Sequence, residues 1–280
     1  MAYQSVLRSD LFDNMTILIT GGGSGIGRCI AHELAHLGGE VILLGRTDAK
    51  LRKVQQEIED RGGLARTCVC DIRDSKQLEE VIKDLPPVDA LVNCAGGQFP
   101  ALLSEMSSNG FDAVVRNNLL STFNVSRTIF DHSMRTSGGA IVNITANEVG
   151  GMPLMAHTAA ARAGVHSLTQ TCALEWAEFG IRVNAVAPGF INSSGFDTYT
   201  DERMSNAIKH YPTRMPIGRA GTESELSAMV CFLLSPGGAY ITGQVLRVDG
   251  GASLNVGSGL YDAKPARDAQ IYDGFDLSRA

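Results

Sequence analysis

Two groups of residues in this chain could do chemistry, and they differ in kind. The first is Thr20-Gly21-Gly22-Gly23-Ser24-Gly25-Ile26-Gly27, in which Gly21, Gly25 and Gly27 follow an apolar run and precede residues at helical spacing. Glycine permits a tight turn there and lets backbone N–H groups, with those of Ser24 and Ile26, approach a pyrophosphate at a helix N-terminus. Gly45-Arg46 stands where the next strand ends. An acidic residue at that point takes a ribose 2′-hydroxyl, whereas arginine pairs with a 2′-phosphate, which favours NADP(H) over NAD(H). The rival reading is an arginine merely exposed at a strand end. The second group is Thr158, Arg162, His166 and Gln170, one helical stripe at i,i+4 spacing, with His157 at its start. His157 either serves as an acid or orienting donor or touches a loop at the helix start; both readings stand. His166 lies ~12 Å along the axis from Thr158, too far to serve the same atom, and a structural or subunit-contact role is expected for it.

The elements that must position these groups alternate from end to end. Strands are predicted at Thr16–Thr20, Val41–Leu44, Ala65–Val69, Ala90–Asn93, Ala140–Thr145, Arg182–Ala187 and Val245–Val248. Between them apolar residues recur at helical spacing, as in Ile26, Ile30, Leu34 and Leu37. Short apolar strands alternating with helices predict an α/β fold: a Rossmann-type, doubly wound parallel sheet of seven strands in a single domain over 1–280. Two stretches break the rhythm. Residues 190–214 are expected to form an irregular substrate lid, because ligands bind beyond the carboxyl ends of parallel strands. The polar tail 255–280 is expected to be a surface or subunit-contact arm.

Bulk properties narrow the partners. A net charge of -6 argues against nucleic acid. No apolar run approaches the ~18 residues that span a bilayer. Residues 1–14 lack the apolar core of a signal peptide. The six cysteines form no Cys-x-x-Cys and sit in apolar stretches, so buried thiols in a reducing cytosol are expected, and the histidines show no metal-ligand spacing.

Further segments then fall into a pattern: Asp71-Ile72 after the third strand, Asn93-Cys94-Ala95-Gly96 after the fourth, Asn118-Leu-Leu-Ser-Thr-Phe123, Val142-Asn-Ile-Thr145, Arg182-Val-Asn-Ala-Val-Ala-Pro188-Gly189 and Val248-Asp-Gly-Gly251. Together these resemble the short-chain dehydrogenase/reductase family over 12–254. The resemblance implies that Asp71 and Ile72 flank the adenine and that Asn93, Ala95 and Gly96 line the cofactor. It implies too that Pro188, Gly189 and Ile191 hold the nicotinamide end, that Asn118 is the catalytic-helix asparagine, and that the chain forms a homotetramer.

The pattern fails where the family carries Tyr-x-x-x-Lys. Thr158 takes the tyrosine position and Arg162 the lysine position, followed by a matching Ala163-Gly164-Val165; the family's serine falls at Thr145 or Ala146. A threonine hydroxyl is too weak an acid to protonate a carbonyl oxygen, and arginine does not release its proton. Arg162 can still hold the nicotinamide ribose. Reduction of a C=C bond conjugated to a thioester asks only for donors around an enolate oxygen, which Thr158, Thr145 and Asn118 could supply. Gly96-Gly97-Gln98-Phe99, His157–Val165, Ala173-Leu-Glu-Trp-Ala177 and Val230–Pro236 are similar to peroxisomal trans-2-enoyl-CoA reductases. The ending Leu277-Ser-Arg-Ala280 does not match a peroxisomal address, so a cytoplasmic enzyme of fatty-acid metabolism is expected. Arg203, Lys209, Arg214 and Arg219 could meet CoA phosphates, and Phe190, Phe196, Tyr199 and Tyr211 an acyl chain. The alternatives are an alcohol or aldehyde dehydrogenase for a citronellol-type substrate with His157 as acid/base, and a non-catalytic NADP-binding member.

Overall fold

The structure, a computed structural model, describes residues 3–199, 201–210, 215–254, 266 and 269–277. Seven parallel strands form one sheet: β1 (Thr16–Thr20), β2 (Glu40–Gly45), β3 (Leu64–Val69), β4 (Ala90–Asn93), β5 (Gly139–Ile144), β6 (Ile181–Pro188) and β7 (Val245–Val248). Their order is β3-β2-β1-β4-β5-β6-β7. The chain leaves β1 toward β3 and then returns to lay β4 on the other side of β1. That reversal opens a crevice beyond the carboxyl ends of β1 and β4, where such sheets bind ligands.

Alternation along each buried strand divides the core in two. Ile17, Ile19, Val41, Leu43, Val92 and Val142 face α1 (Gly25–His36), α2 (Asp48–Glu59) and α9 (Glu223–Leu234). Leu18, Ile42, Leu44, Leu91 and Ile141 face α3 (Ser75–Lys83), α5 (Ser121–Ile129) and α7 (Ala156–Glu175). Truncating a fully buried side chain such as Leu34 or Leu91 would cost ~2–5 kcal/mol, because the tight packing closes only part of the void.

Ahead of α5, α4 (Ser108–Val115) passes into a wider, π-helical turn over Arg116–Leu120. The hydroxyls of Ser121 and Thr122 donate to the carbonyls of Arg116 and Asn118, bonds that add to the i,i−5 bond from the Ser121 N–H to Arg116. A second such turn, Phe130–Met134, leads into a single turn, α6 (Arg135–Ser137), before β5.

The stretch expected to form a lid is more regular than its composition implies. A 3-10 turn covers Ser194–Thr198, and α8 spans Glu202–His210. The Asp201 carboxylate accepts from the N–H groups of Arg203 and Met204, and the helix closes on Lys209 and His210. Tyr211 and Arg214 lie outside the described residues, as does most of the tail. Of its described residues, 266 and 269–277, Phe275 is buried against Tyr3 and His32, beneath the Arg28 guanidinium. Glu33 of α1 is fully buried and accepts from Tyr3, Ser5 and Tyr272, so both ends of the chain grip the helix that follows the glycine turn.

Candidate active site

At the glycine turn, α1 begins without a side-chain cap: Ser24 makes no hydrogen bond to the helix from its hydroxyl. First-turn N–H groups thus remain available to an anion. A β-carbon at Gly27 would lie 2.4 Å from the Gly21 carbonyl, so only glycine lets the helix seat this close. Thr20 accepts from the N–H groups of Cys94 and Ala95, each at 3.0 Å, which folds the Ala95–Gly96 segment against the turn. Ser194 of the lid reaches over Gly25 from the far side. Uncapped donors in a crevice kept open by missing side chains fit a dinucleotide diphosphate.

Arg46 is exposed just past β2, and its charge reaches Asp71. Arg73, unremarked in the sequence, pairs with Asp71 at 2.5 Å and holds that carboxyl below its usual range. Ile72 is buried beside it. Asn93 turns its side chain away from the crevice to Ser126 and Asn143, so only its backbone faces the cofactor side. Pro188 ends β6 opposite Val248 of β7, Gly189 donates its N–H to the Val248 carbonyl, and Ile191 is buried where it bridges to Gly221. Beneath the lid lies a cavity of about 220 Å³, lined by Phe190, Ile191, Met215, Ile217 and Val248. Phe190 meets Phe196 at 4.6 Å, and the Gln98 side-chain amide donates to the Tyr199 hydroxyl at 2.5 Å. The lid arginine Arg203 pairs with Asp201 and Arg219 with Glu225.

The stripe on α7 separates into levels. Thr158 is buried, its hydroxyl 3.1 Å from Nδ1 of His157. That same nitrogen accepts the Thr158 N–H at 2.7 Å, so the neutral ring carries its proton on Nε2. Nε2 is buried with no partner among the described residues; the ring packs edge-on to Phe99, and burial holds it below the usual histidine range. Arg162 donates to the Ile144 carbonyl at 2.8 Å and lies against Gly96. Burial brings its guanidinium down to about 10, which leaves it charged across the neutral range.

Asn118 is fully buried in the π-helical turn and makes paired bonds to Gly97, accepting its N–H and donating to its carbonyl, both at 3.0 Å. Thr145 is buried at the end of β5, its hydroxyl 3.2 Å from the Val186 carbonyl and 2.8 Å from Nε2 of His166. Gly96, Arg162 and Asn118 thus meet in one place and His157 with Thr158 in a second. Thr145 belongs with His166 and with Glu148, a residue whose part in the site only the fold reveals. Among the described residues no group of His, Cys, Asp and Glu could hold a metal ion, and no helix is long and apolar enough to cross a membrane.

The chain is similar to known proteins in both sequence and fold. The family model described as enoyl-(acyl carrier protein) reductase matches residues 21–253. The chain is 34% identical to the peroxisomal 2,4-dienoyl-CoA reductase [(3E)-enoyl-CoA-producing] of Mus musculus, covering 92% of this chain and 90% of that one. It is 36% identical to a probable 2,4-dienoyl-CoA reductase [(2E)-enoyl-CoA-producing] of Bacillus subtilis, covering 87% and 98%. Among solved structures it is similar to a citronellol catabolism dehydrogenase of Pseudomonas aeruginosa, with 44% identity, a TM-score of 0.81, and coverage of 90% and 100%.

Proposed function

The chain belongs to the short-chain dehydrogenase/reductase family, and on that premise we propose that it is an NADP(H)-dependent reductase of a C=C bond conjugated to an acyl thioester. The observation that carries this reading is the pair on α7: a buried threonine hydroxyl at Thr158 and a buried, charged guanidinium at Arg162, in place of tyrosine and lysine. Such a pair cannot hand a proton to a carbonyl oxygen, but it can steady negative charge. When bound, the nicotinamide would supply a hydride, to the β-carbon of a 2-enoyl chain or the δ-carbon of a 2,4-dienoyl chain. Charge then collects on the thioester oxygen as an enolate, Thr158 and Thr145 donate to it, and Arg162 holds the ribose and offsets the charge. Asn118 acts through Gly97, whose loop it fixes. Water supplies the proton at the α-carbon.

The names carried by the mouse and Bacillus relatives support a 2-enoyl- or 2,4-dienoyl-CoA substrate. The test is NADPH oxidation with both thioester series and identification of the product by mass spectrometry. Absence of turnover at every chain length ends the reading.

Identity to the citronellol catabolism dehydrogenase favours a second reading, oxidation of a branched terpenoid alcohol. It requires His157 as the acid/base in its other tautomer, with the proton moved from Nε2 to Nδ1 and the Thr158 N–H bond given up, so NADP⁺ reduction with citronellol should vanish in His157→Ala. Subunit assembly in either case would use Leu120 and Phe123, apolar residues left exposed on the single chain; light scattering reads the subunit number.

A further inference from the structure

Three side chains behind the site form a hydrogen-bonded chain. Glu148, in the loop after β5, sets Oε1 3.2 Å from Nδ1 of His166. Nε2 of His166 lies 2.8 Å from the Thr145 hydroxyl, which is itself 3.2 Å from the Val186 carbonyl on β6. The second carboxylate oxygen of Glu148 is buried without a partner among the described residues.

Counting protons gives this chain two states. The Val186 carbonyl and an ionised Glu148 can only accept. With a neutral imidazole, the one ring proton faces Glu148, Nε2 accepts, and the Thr145 hydrogen is drawn back toward His166. With a protonated imidazole, Nε2 donates to the Thr145 oxygen instead. The hydroxyl hydrogen is then released toward Val186, or toward a stronger acceptor that comes near.

We propose that His166, backed by Glu148, is a positioning residue that acts through Thr145: its protonated form makes the Thr145 hydroxyl a donor to the oxygen that gathers charge during thioester reduction. This rests on the reductase reading above. An imidazolium behind the hydroxyl also polarises it, since hydrogen bonds in series strengthen one another. The charged groups around the imidazole are Glu148 from the loop, Arg247 from β7 and Arg162 one turn earlier on α7. Burial holds the ring below the usual histidine range; the two arginines act in the same sense and Glu148 opposes them. The protonated fraction therefore grows as pH falls, and the rate assisted by Thr145 grows with it.

The experiment compares wild type with H166F, H166Q and E148Q, using NADPH and a 2-enoyl-CoA across pH. Wild-type kcat is expected to fall with rising pH through a limb below ~6.5. H166F should lower the acid-side kcat at least about tenfold, with KM and the NADPH Kd unchanged. Glutamine donates to Thr145 at every pH, so H166Q should recover most of that loss and abolish the limb. E148Q should move the limb to lower pH. An H166F enzyme with wild-type kcat and limb overturns the proposal, as does one whose cofactor affinity falls together with kcat. Imidazole titration by NMR in the NADP⁺ complex provides a readout that needs no turnover. Should wild type reduce no enoyl thioester, the reductase reading fails by itself. The titration still decides the network: a His166 resonance indifferent to both E148Q and T145V overturns it.

Discussion

A β-carbon on Gly96 would lie 2.3 Å from a guanidinium nitrogen of Arg162, so the bare backbone of one residue is the seat of the other. The guanidinium cannot simply retreat, because it is tied to the Ile144 carbonyl at 2.8 Å, and the carboxamide oxygen of Asn118 would stand 2.7 Å from the same β-carbon. Gly96→Ala should displace both groups while leaving the sheet intact. The expected loss in kcat/KM is on the order of a hundredfold, with circular dichroism unchanged. Wild-type activity in G96A would show that the position of the guanidinium is immaterial.

Arg46 offers a direct reading of cofactor choice. If it pairs with a 2′-phosphate, Arg46→Ala removes a charge-assisted bond worth about 1.5–3 kcal/mol. NADPH should then bind roughly tenfold to a hundredfold more weakly while NADH is unaffected, as measured by fluorescence titration. Equal weakening of both cofactors would assign the preference elsewhere.

Acid stability should depend on His32. Burial brings this imidazole down to about 4, while Glu57 accepts from it at 3.2 Å. Burial alone would raise the Glu57 carboxyl; the bonds from Arg28 and His32 outweigh it and hold it below its usual range. The unfolded chain takes up the His32 proton first, so stability is full above pH ~6.5 and declines toward pH ~4 by on the order of 3 kcal/mol. The Glu57 share is lost only on further acidification, below the ordinary carboxylate range. Thermal midpoints between about pH 7 and about pH 4.5 should therefore drop less in His32→Gln than in wild type. Parallel drops would locate the acid-sensitive group elsewhere.

Phe275 is the wedge of the tail. It is 1% exposed and packs among Tyr3, Arg28 and His32. Phe275→Ala should cost about 3 kcal/mol or more in denaturant unfolding. An unchanged midpoint would mean that the tail contributes nothing in solution.

All seven strands were legible in the sequence, the inner ones because strands buried on both faces read as apolar runs, and their bounds move by at most one residue in the structure. The glycine turn was legible too, since its steric demands are local. Long-range relations were not. Spacing along α7 correctly separates His166 from Thr158, yet Thr145 and His166 meet only because β5 packs across that helix. The π-helical turn that carries Asn118 leaves no periodic trace, and the cap at Asp201 is hidden within a run of small polar residues. Charge patterning at the ends of α8 was the signal that could have revealed the lid helix.

Gln4 donates its backbone N–H to the Gly274 carbonyl at 3.1 Å, and this junction sits on Glu33 of α1, the helix that follows the glycine turn. Separating the two segments therefore strips partners from a carboxylate otherwise sealed from water. Opening of this junction and slackening of the helix that follows the glycine turn are expected to be a single event. Saturating cofactor should accordingly protect the amides near residues 4 and 274 from hydrogen exchange, although neither segment touches the crevice.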